Sequence, residues 1–469
     1  MIRIETRSID YIPAAERHGQ PWHLWSVWFT SGTQLATAAT GVIGAALGAD
    51  FLWTGIAILA GCALGTFFMA FHAAQGPQLG LPQMIQSRPQ FGYLGALLVW
   101  VIALISYIGY NAFNEALAGD TAHRLAGVQA GIAGTAFTVI ALAISVIGYD
   151  LIHTAQRWLS YLLIVVLSIF TVGACVHLRF AAGEWNWAPL PRVAFLTQFF
   201  AAAAYQLSGA FYVSDYSRYL PRTVGIRAPF CWTYAGAFMG SAWTMLIGAL
   251  AVSLHPGFSI TGALQAAGDA IAPGYGNLLL GVSLVGLLTM ASLNFYGASL
   301  TALSVLDSVA PLRATRTARI TSLLLVGVVT HALAHLIGGR FVQGISGLLA
   351  ILLLLFTPWT AVNLVDFYLV RKSHYSIREI FNPRGLYGRW NRRGLCAYSI
   401  GFAAMLPFAN TQVFQGPIAR LMHGTDLSMP VGLAVAGGIY LWSHRRFDLA
   451  REWAHALRAD HGLDEELSP

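Results

Sequence analysis

The sequence predicts an all-α polytopic membrane protein with twelve transmembrane helices, and three observations carry that prediction. The 469 residues are 56% apolar and only 10% charged, with a mean hydropathy of +0.61. A soluble fold of this composition would need a core larger than its polar residues can cover. Apolar stretches of about 20 residues, the length that crosses a bilayer, recur along the whole chain. Arginine and lysine fall almost entirely on alternate connections between them.

The spans fall near 25–48, 51–74, 94–118, 126–148, 158–178, 194–214, 231–254, 277–306, 320–338, 342–370, 395–413 and 428–443. With both termini inside, 22 of the 27 basic residues lie on the inner side. They are Arg3, Arg7, Arg17, Arg88, Arg157, Arg218, Arg222, Arg227, Arg313, Arg316, Arg319, the seven between Arg371 and Arg393, and Arg445, Arg446, Arg451 and Arg458. The outer connections hold Arg124, Arg179, Arg192, Arg340 and Arg420. A missed or invented span would scramble this positive-inside alternation. It also accounts for the net charge of +7 without nucleic-acid binding. Trp22, Trp25, Trp53, Trp185, Trp187 and Trp442 fall near span ends, as interfacial anchors. The first apolar run is longer than a signal-peptide core and lacks a cleavable flank, so no processing is expected. Cys62, Cys175, Cys231 and Cys396 stand singly, without CxxC spacing, and read as packing or lipid-side residues.

The expected organisation is a cytoplasmic N-terminus over 1–24 and a core over 25–370, made of two repeats at about 25–178 and 194–370. A solvated basic cytoplasmic loop follows over 371–394, then two additional helices over 395–443 and a cytoplasmic tail over 444–469. The tail can form a short helix before its acidic Asp464-Glu465-Glu466 end.

Span 6 is a helix with a weak middle. Gln206-Leu207-Ser208-Gly209-Ala210 puts an amide, a hydroxyl and a glycine near the midplane, where unpaired polar groups are costly unless they face protein, water or a ligand. Span 1 repeats the peculiarity with Ser31-Gly32 and Gln34. Paired glycine-interrupted helices in two halves point to an inverted-repeat transporter with its site between them. Small residues also allow close helix packing; the polar company favours the site.

Span 3 adds Tyr107 and Tyr110 on one face, and span 8 adds the amide of Asn294. Thr30, Thr33, Thr289 and Ser292 offer hydroxyl oxygens of the kind Na⁺ accepts, against the reading in which each bonds back to its own helix. Glu115, Asp215, Asp307 and Asp366 sit near predicted span ends, leaving no carboxylate or lysine at a predicted midplane. A site of amides, hydroxyls and rings suits a flat neutral molecule, with rings stacked on its face and amides paired to its edge. The absent carboxylate favours Na⁺ over H⁺ as coupling ion, with Glu115 or Asp215 as the proton carriers otherwise. His331 and His335 have the i, i+4 spacing of a metal pair, but no third ligand is identifiable, so no metal beyond Na⁺ is expected. Asp215 with Arg218, and Asp366 with Arg371, read as local ion pairs or gate latches. No nucleophile with a base lies inside the spans, so neither enzymatic activity nor a cofactor is expected.

Further motifs carry a family resemblance. Ile9-Asp10-Tyr11-Ile12-Pro13, Ser87-Arg88-Pro89-Gln90-Phe91-Gly92, Tyr212 to Pro221 and Asn363-Leu364-Val365-Asp366-Phe367-Tyr368 together resemble the nucleobase:cation symporter-1 family, in its purine/cytosine permease branch. The resemblance implies a leucine-transporter-type fold, two inverted five-helix repeats plus two extra helices. It also implies import of a neutral nucleobase such as cytosine or a purine, coupled to Na⁺ or H⁺, across the cell membrane. Gly109-Tyr110 matches the family's Gly-Trp, whose ring stacks on substrate. Gln34 matches its span 1 glutamine and Asn294 its span 8 asparagine, while Ser208 to Phe211 falls on its broken span 6. Substrate contacts are therefore expected from Gln34, Tyr107, Tyr110, Gln206, Ser208, Gly209, Phe211 and Asn294. Where this branch often reads Ser-Trp-Ala-Pro-Tyr, this chain has Ser208-Gly209-Ala210-Phe211-Tyr212. The alternatives are a related heterocycle as cargo (allantoin, hydantoin, uracil or thiamine) and a non-transporting membrane receptor or channel.

Overall fold

Long runs of Leu, Ala, Val and Ile fold as helices here because hydrocarbon offers backbone N–H and C=O groups no partner outside the segment. A computed structural model describes residues 10–147, 149–177, 189–309 and 315–467. Arg3, Arg7, Arg179, Trp185, Trp187 and Arg313 lie outside the described residues. In chain order the principal helices are α1 (His23–Gly32), α2 (Leu35–Thr40), α3 (Phe51–Ala73), α4 (Leu97–Ala126), α5 (Ala130–Ile147), α6 (Tyr149–His177), α7 (Arg192–Leu207) and α8 (Val213–Ser217). They continue with α9 (Arg227–Leu254), α10 (Ile260–Ile271), α11 (Tyr275–Val309), α12 (Arg316–Ile337), α13 (Phe341–Val365), α14 (Arg392–Met405), α15 (Ser428–Ser443) and α16 (Leu449–Ala459). Among the described residues, the one extended pairing is a bridge between Asn410 and Gln415.

Local chemistry sets several starts. Asp50 accepts from the Trp53 amide at 2.8 Å to open α3, and Thr315 accepts from Ala318 at 3.1 Å to open α12; both are side-chain N-caps. Six of the described helices are long and apolar enough to cross a membrane: α3 with its continuation to Leu79, α4, α9, α11, α12, and α13 with its continuation to Val370. Spans 1 and 6 are broken, and Ala130–Val146, Tyr161–His177 and Ser428–Ser443 are shorter apolar helices.

Two seams place the broken helices. α1 lies along α9 and α7 along α3, each backbone close to its neighbour. A Cβ on Gly240 would collide with the carbonyl of Phe29, and one on Gly65 with the backbone of Ala203, so glycine lets these helices touch as small-residue membrane seams do. α4, packed on α11 and α12, forms a second group.

The structure corrects several sequence expectations. The span 1 break falls at Thr33 and Gln34, not at Ser31-Gly32: Gln34 is extended at φ −135°, ψ 158° while Gly32 is still helical. Gly32 serves packing, since a Cβ there would meet the Ser241 backbone at 2.5 Å. Span 3 runs on to Ala126, which moves Glu115 from a span end to the body of the helix, 2% exposed. Span 11 stops at Met405, where Pro407 and a short turn replace its last part. α10, between spans 7 and 8, was not expected.

Residues 371–394 are not simply a solvated loop. Arg371, Tyr375, Ile377, Ile380 and Tyr387 are buried. Arg371 pairs with Asp366 at 2.6 Å, as the sequence suggests, and also with Glu452 of α16 at 2.6 Å. Asp366 further accepts from Tyr375 at 2.8 Å, Tyr440 at 2.9 Å and Gln90 at 2.7 Å. Burial, reinforced by Asp366, pushes the Tyr375 phenol well above its ordinary range, which keeps it a donor. The expected tail helix, α16, completes this cluster. Asp215, expected to latch with Arg218, accepts from the backbone amide of Gln83 at 2.9 Å.

Candidate functional site

The two breaks face one cleft. α7 ends at Leu207, Ser208 and Gly209 form a turn, and Ala210–Tyr212 make a short 3-10 turn before α8. With the Thr33–Gln34 break opposite, these elements enclose about 670 Å³ of non-atom space, mouth included. All eight expected substrate contacts line it: Gln34, Tyr107, Tyr110, Gln206, Ser208, Gly209, Phe211 and Asn294. Trp28, Ser31, Met69, Ser106, Asn114, Tyr205, Tyr212, Ser241 and Met290 join them, with Ala36 and Ala237. No lining residue is Asp, Glu, Lys, Arg or His, so the site holds polarity without charge.

Hydrogen bonds decide which groups remain available. Gln34 donates to the Ser31 carbonyl at 2.7 Å, and Asn294 donates to Asn111 Oδ1 at 3.1 Å. Each therefore presents its amide oxygen. Asn111 in turn donates to the Ala291 carbonyl at 3.1 Å, which ties α4 to α11. The Tyr110 and Ser208 hydroxyls are 2.7 Å apart and bridge α4 to the span 6 break. Two buried cleft atoms have no hydrogen-bond partner among the described residues, the indole Nε1 of Trp28 and Oδ1 of Asn114.

Gln206 differs from the other expected contacts. Its Nε2 donates to Thr66 at 2.6 Å and to the Ala237 carbonyl at 3.0 Å, and its Oε1 accepts from Ser241 at 3.1 Å. It lines the cleft as a brace whose polar atoms are already paired. Phe211 is 2% exposed, lies parallel to Phe356 with centroids 5.6 Å apart, and is edge-on to Tyr107 at 5.1 Å. It closes one wall and aims Tyr107.

The four expected cation ligands do not line this cleft. Thr30 donates to Ser26 at 2.8 Å, Thr33 to Thr30 at 2.9 Å, Thr289 to Gly286 at 2.9 Å and Ser292 to Leu288 at 2.8 Å, all backbone carbonyls of the same or the preceding segment. This is the ordinary back-bonding of helical hydroxyls, and it leaves oxygen lone pairs unused.

Trp28, Tyr205 and Asn114 were missed. Asn114 had a legible signal: Tyr107, Tyr110 and Asn114 are spaced 3 and 4 apart on α4, one stripe of a helix. Tyr205 had none, since its place depends on Thr37, 2.5 Å away across the chain. Trp28 lies three residues before Ser31 on α1 and stacks obliquely on Tyr212 at 5.7 Å.

A multi-pass helical membrane protein with two broken helices around an uncharged polar cleft belongs to the class of transporters. The family described as permeases for cytosine/purines, uracil, thiamine and allantoin matches residues 11–432, and this chain belongs to it. It is 34% identical over 439 residues to the Bacillus subtilis protein YxlA, named for the purine-cytosine permeases, covering 94% of this chain and 95% of that one. It is 22% identical to the purine-cytosine permease fcyB of Emericella nidulans, over 94% of this chain and 88% of that one. Among solved structures it resembles inward-facing Mhp1, with a TM-score of 0.75 at 19% identity over 100% of this chain and 99% of that one. It also resembles Mhp1, a nucleobase-cation-symport-1 family transporter, closed with bromovinylhydantoin bound, with a TM-score of 0.73 at 17% identity over 99% of this chain and 100% of that one. The fold is shared with these transporters, and the family is one of permeases rather than enzymes.

Proposed function

We propose that the protein is a secondary-active symporter that imports a neutral nucleobase, cytosine or a purine, by alternating access. The observation that carries this reading is the charge-free cleft at the two breaks. A cationic cargo would call for a carboxylate there and an organic anion for an arginine; neither is present. The oxygens of Gln34, Asn294 and Asn114 accept, the Trp28 N–H donates, and Tyr110 stacks on the base. That set suits a heterocycle whose edge carries more donors than acceptors. Gln206 holds the wall against α9.

On this reading the chain makes twelve spans with both termini cytoplasmic in the cell membrane. The repeats lie at about 25–178 and 194–370, and the two additional helices over 395–443. Spans 1, 2, 6 and 7 rock against spans 3, 4, 8 and 9. Thr30, Thr33, Thr289 and Ser292 supply oxygen lone pairs if the coupling ion is Na⁺. The bound hydantoin in the Mhp1 structure supports a related heterocycle as the second choice of cargo.

Uptake of radiolabelled cytosine, adenine, hypoxanthine, uracil and allantoin into cells expressing the protein tests the reading. Saturable uptake of cytosine or a purine is expected. Uptake of none, or flux without saturation, would overturn it.

A further inference from the structure

The strongest unused feature is a buried acid outside the cleft. Glu115, 2% exposed, lies 18 residues into α4, about 27 Å from the first residue and about 17 Å from the last at 1.5 Å per residue. One carboxylate oxygen is 2.5 Å from His331 Nδ1 on α12, and the other accepts from Thr138 of α5 at 2.6 Å. Gly134 of α5 makes the space: a Cβ there would come within 3.3 Å of the Glu115 side chain. His331 is one-third exposed and its ring lies 4.3 Å from that of His335, itself exposed one turn nearer the end of α12. Asn114, next to Glu115 in sequence, lines the cleft with its unpartnered oxygen.

An ionisable residue inside a span is costly and is retained where ions or protons move. A purely structural pair is a weak account, because apolar replacements of buried ion pairs are often neutral or stabilising. Other charge around the pair is sparse. α5 and α13, both packed on α4, carry no titratable residue. On α4 the neighbours are Tyr110, bonded to Ser208, then Asp120, His123 and Arg124 towards the end; Arg124 is tied to Asp120, Ser259 and Thr261. α12 adds Arg316 and Arg319 at its far end, Arg319 lying over Tyr296 of α11. α11 also carries Tyr275, which donates to Val166, and Asp307, and α10 adds Asp269, which accepts from Gly276 at 3.0 Å.

We infer that Glu115 and His331 form the proton-binding site of this symporter, separate from the substrate cleft and joined to it through α4. The inference rests on the symport reading above and names H⁺ as its coupling ion. In the empty state a carboxylate accepts from the Nδ1–H of a neutral imidazole. Loading adds one proton from water at Nε2, and the pair becomes a carboxylate–imidazolium pair of no net charge, so the buried carboxylate is no longer without a compensating charge. Release returns that proton from Nε2 to water; no other bond changes. His335 continues the imidazole pair one turn towards the end of α12.

The test uses the full-length protein in liposomes, comparing wild type with Glu115→Gln and His331→Gln. Radiolabelled cytosine, adenine and hypoxanthine are the probes. Both variants should lose about tenfold or more of the accumulation driven by a pH gradient, since a tenfold loss corresponds to about 1.4 kcal/mol. Counterflow exchange, which needs no net proton movement, should stay within about twofold of wild type. Accumulation that persists in both variants, or wild-type accumulation that follows Na⁺ and ignores pH, overturns the inference. A substrate-free infrared difference spectrum between acidic and alkaline buffer separates this from the nucleobase reading. If no probe moves in wild type, that reading fails, yet a histidine–carboxylate signal lost in both variants still supports the proton site. No such signal in wild type overturns it. His331→Gln, at a partly exposed position, keeps the test open should Glu115→Gln fail to fold.

Discussion

The cleft and the Asp366–Arg371 cluster are both rich in buried polar groups, yet they treat their charges in opposite ways. At this cluster Asp366 accepts from Arg371, Tyr375, Tyr440 and Gln90, and Arg371 is shared with Glu452. The acid there is saturated, although Gln90 keeps its own Oε1 without a partner among the described residues, and the cluster joins the end of span 10, the following loop and the tail helix into one block. In the cleft no residue is charged, and Trp28 and Asn114 keep buried polar atoms without partners. A saturated charge network reads as a brace; an uncharged site with unused hydrogen-bonding capacity reads as a place prepared for a ligand.

The largest expected effect breaks the brace. Arg371→Met leaves Asp366 buried without its cation, which should cost on the order of 3 to 5 kcal/mol of stability. A thermal melt in detergent that matched wild type would remove the contrast. Next, Gln206→Ala strands Thr66 and Ser241, at a cost of about 1 to 3 kcal/mol for unsatisfied buried groups. It should lower the melting temperature while leaving the ranking of substrates in competition assays unchanged. A changed ranking would make Gln206 a ligand rather than a brace.

Asn294→Ala sits on the other side of the comparison. It removes one presented oxygen and should reduce substrate affinity about tenfold, roughly the 1.5 kcal/mol upper end of a neutral hydrogen bond, and it also lowers the melt, because Asn111 Oδ1 loses its donor. Uptake equal to wild type would take Asn294 out of the site. The smallest effect is expected from Trp28→Phe, which keeps an aromatic ring but trims the indole to a phenyl and deletes the unpartnered N–H. The lost indole volume lowers stability while the removed unsatisfied donor raises it, so the melt should shift little, while affinity falls a few-fold in a binding titration.

How much of this was legible beforehand follows from what kind of information each feature needs. The helical class and the eight cleft residues were readable because polar interruptions in apolar runs are local signals. The location of the span 1 break was not, because Gly32 helps α1 pack on α9, a tertiary role that looks the same in sequence as a helix breaker. Tyr205 depends on Thr37 and Glu115 on His331, partners 168 and 216 residues away, which helix periodicity cannot supply. The loop over 371–394 looked solvated because its charges are local, whereas its burial comes from Glu452 and Tyr440 far along the chain.

The central claim is that the cleft at Gln34 and Ser208 binds a neutral nucleobase. The most direct measurement is competition against radiolabelled cytosine or adenine by the purified protein, repeated with Asn294→Ala. Saturable binding displaced by unlabelled nucleobases, weakened in the variant, and indifferent to charged analogues is the predicted result. Binding of no nucleobase, or equal binding by the variant, would contradict it.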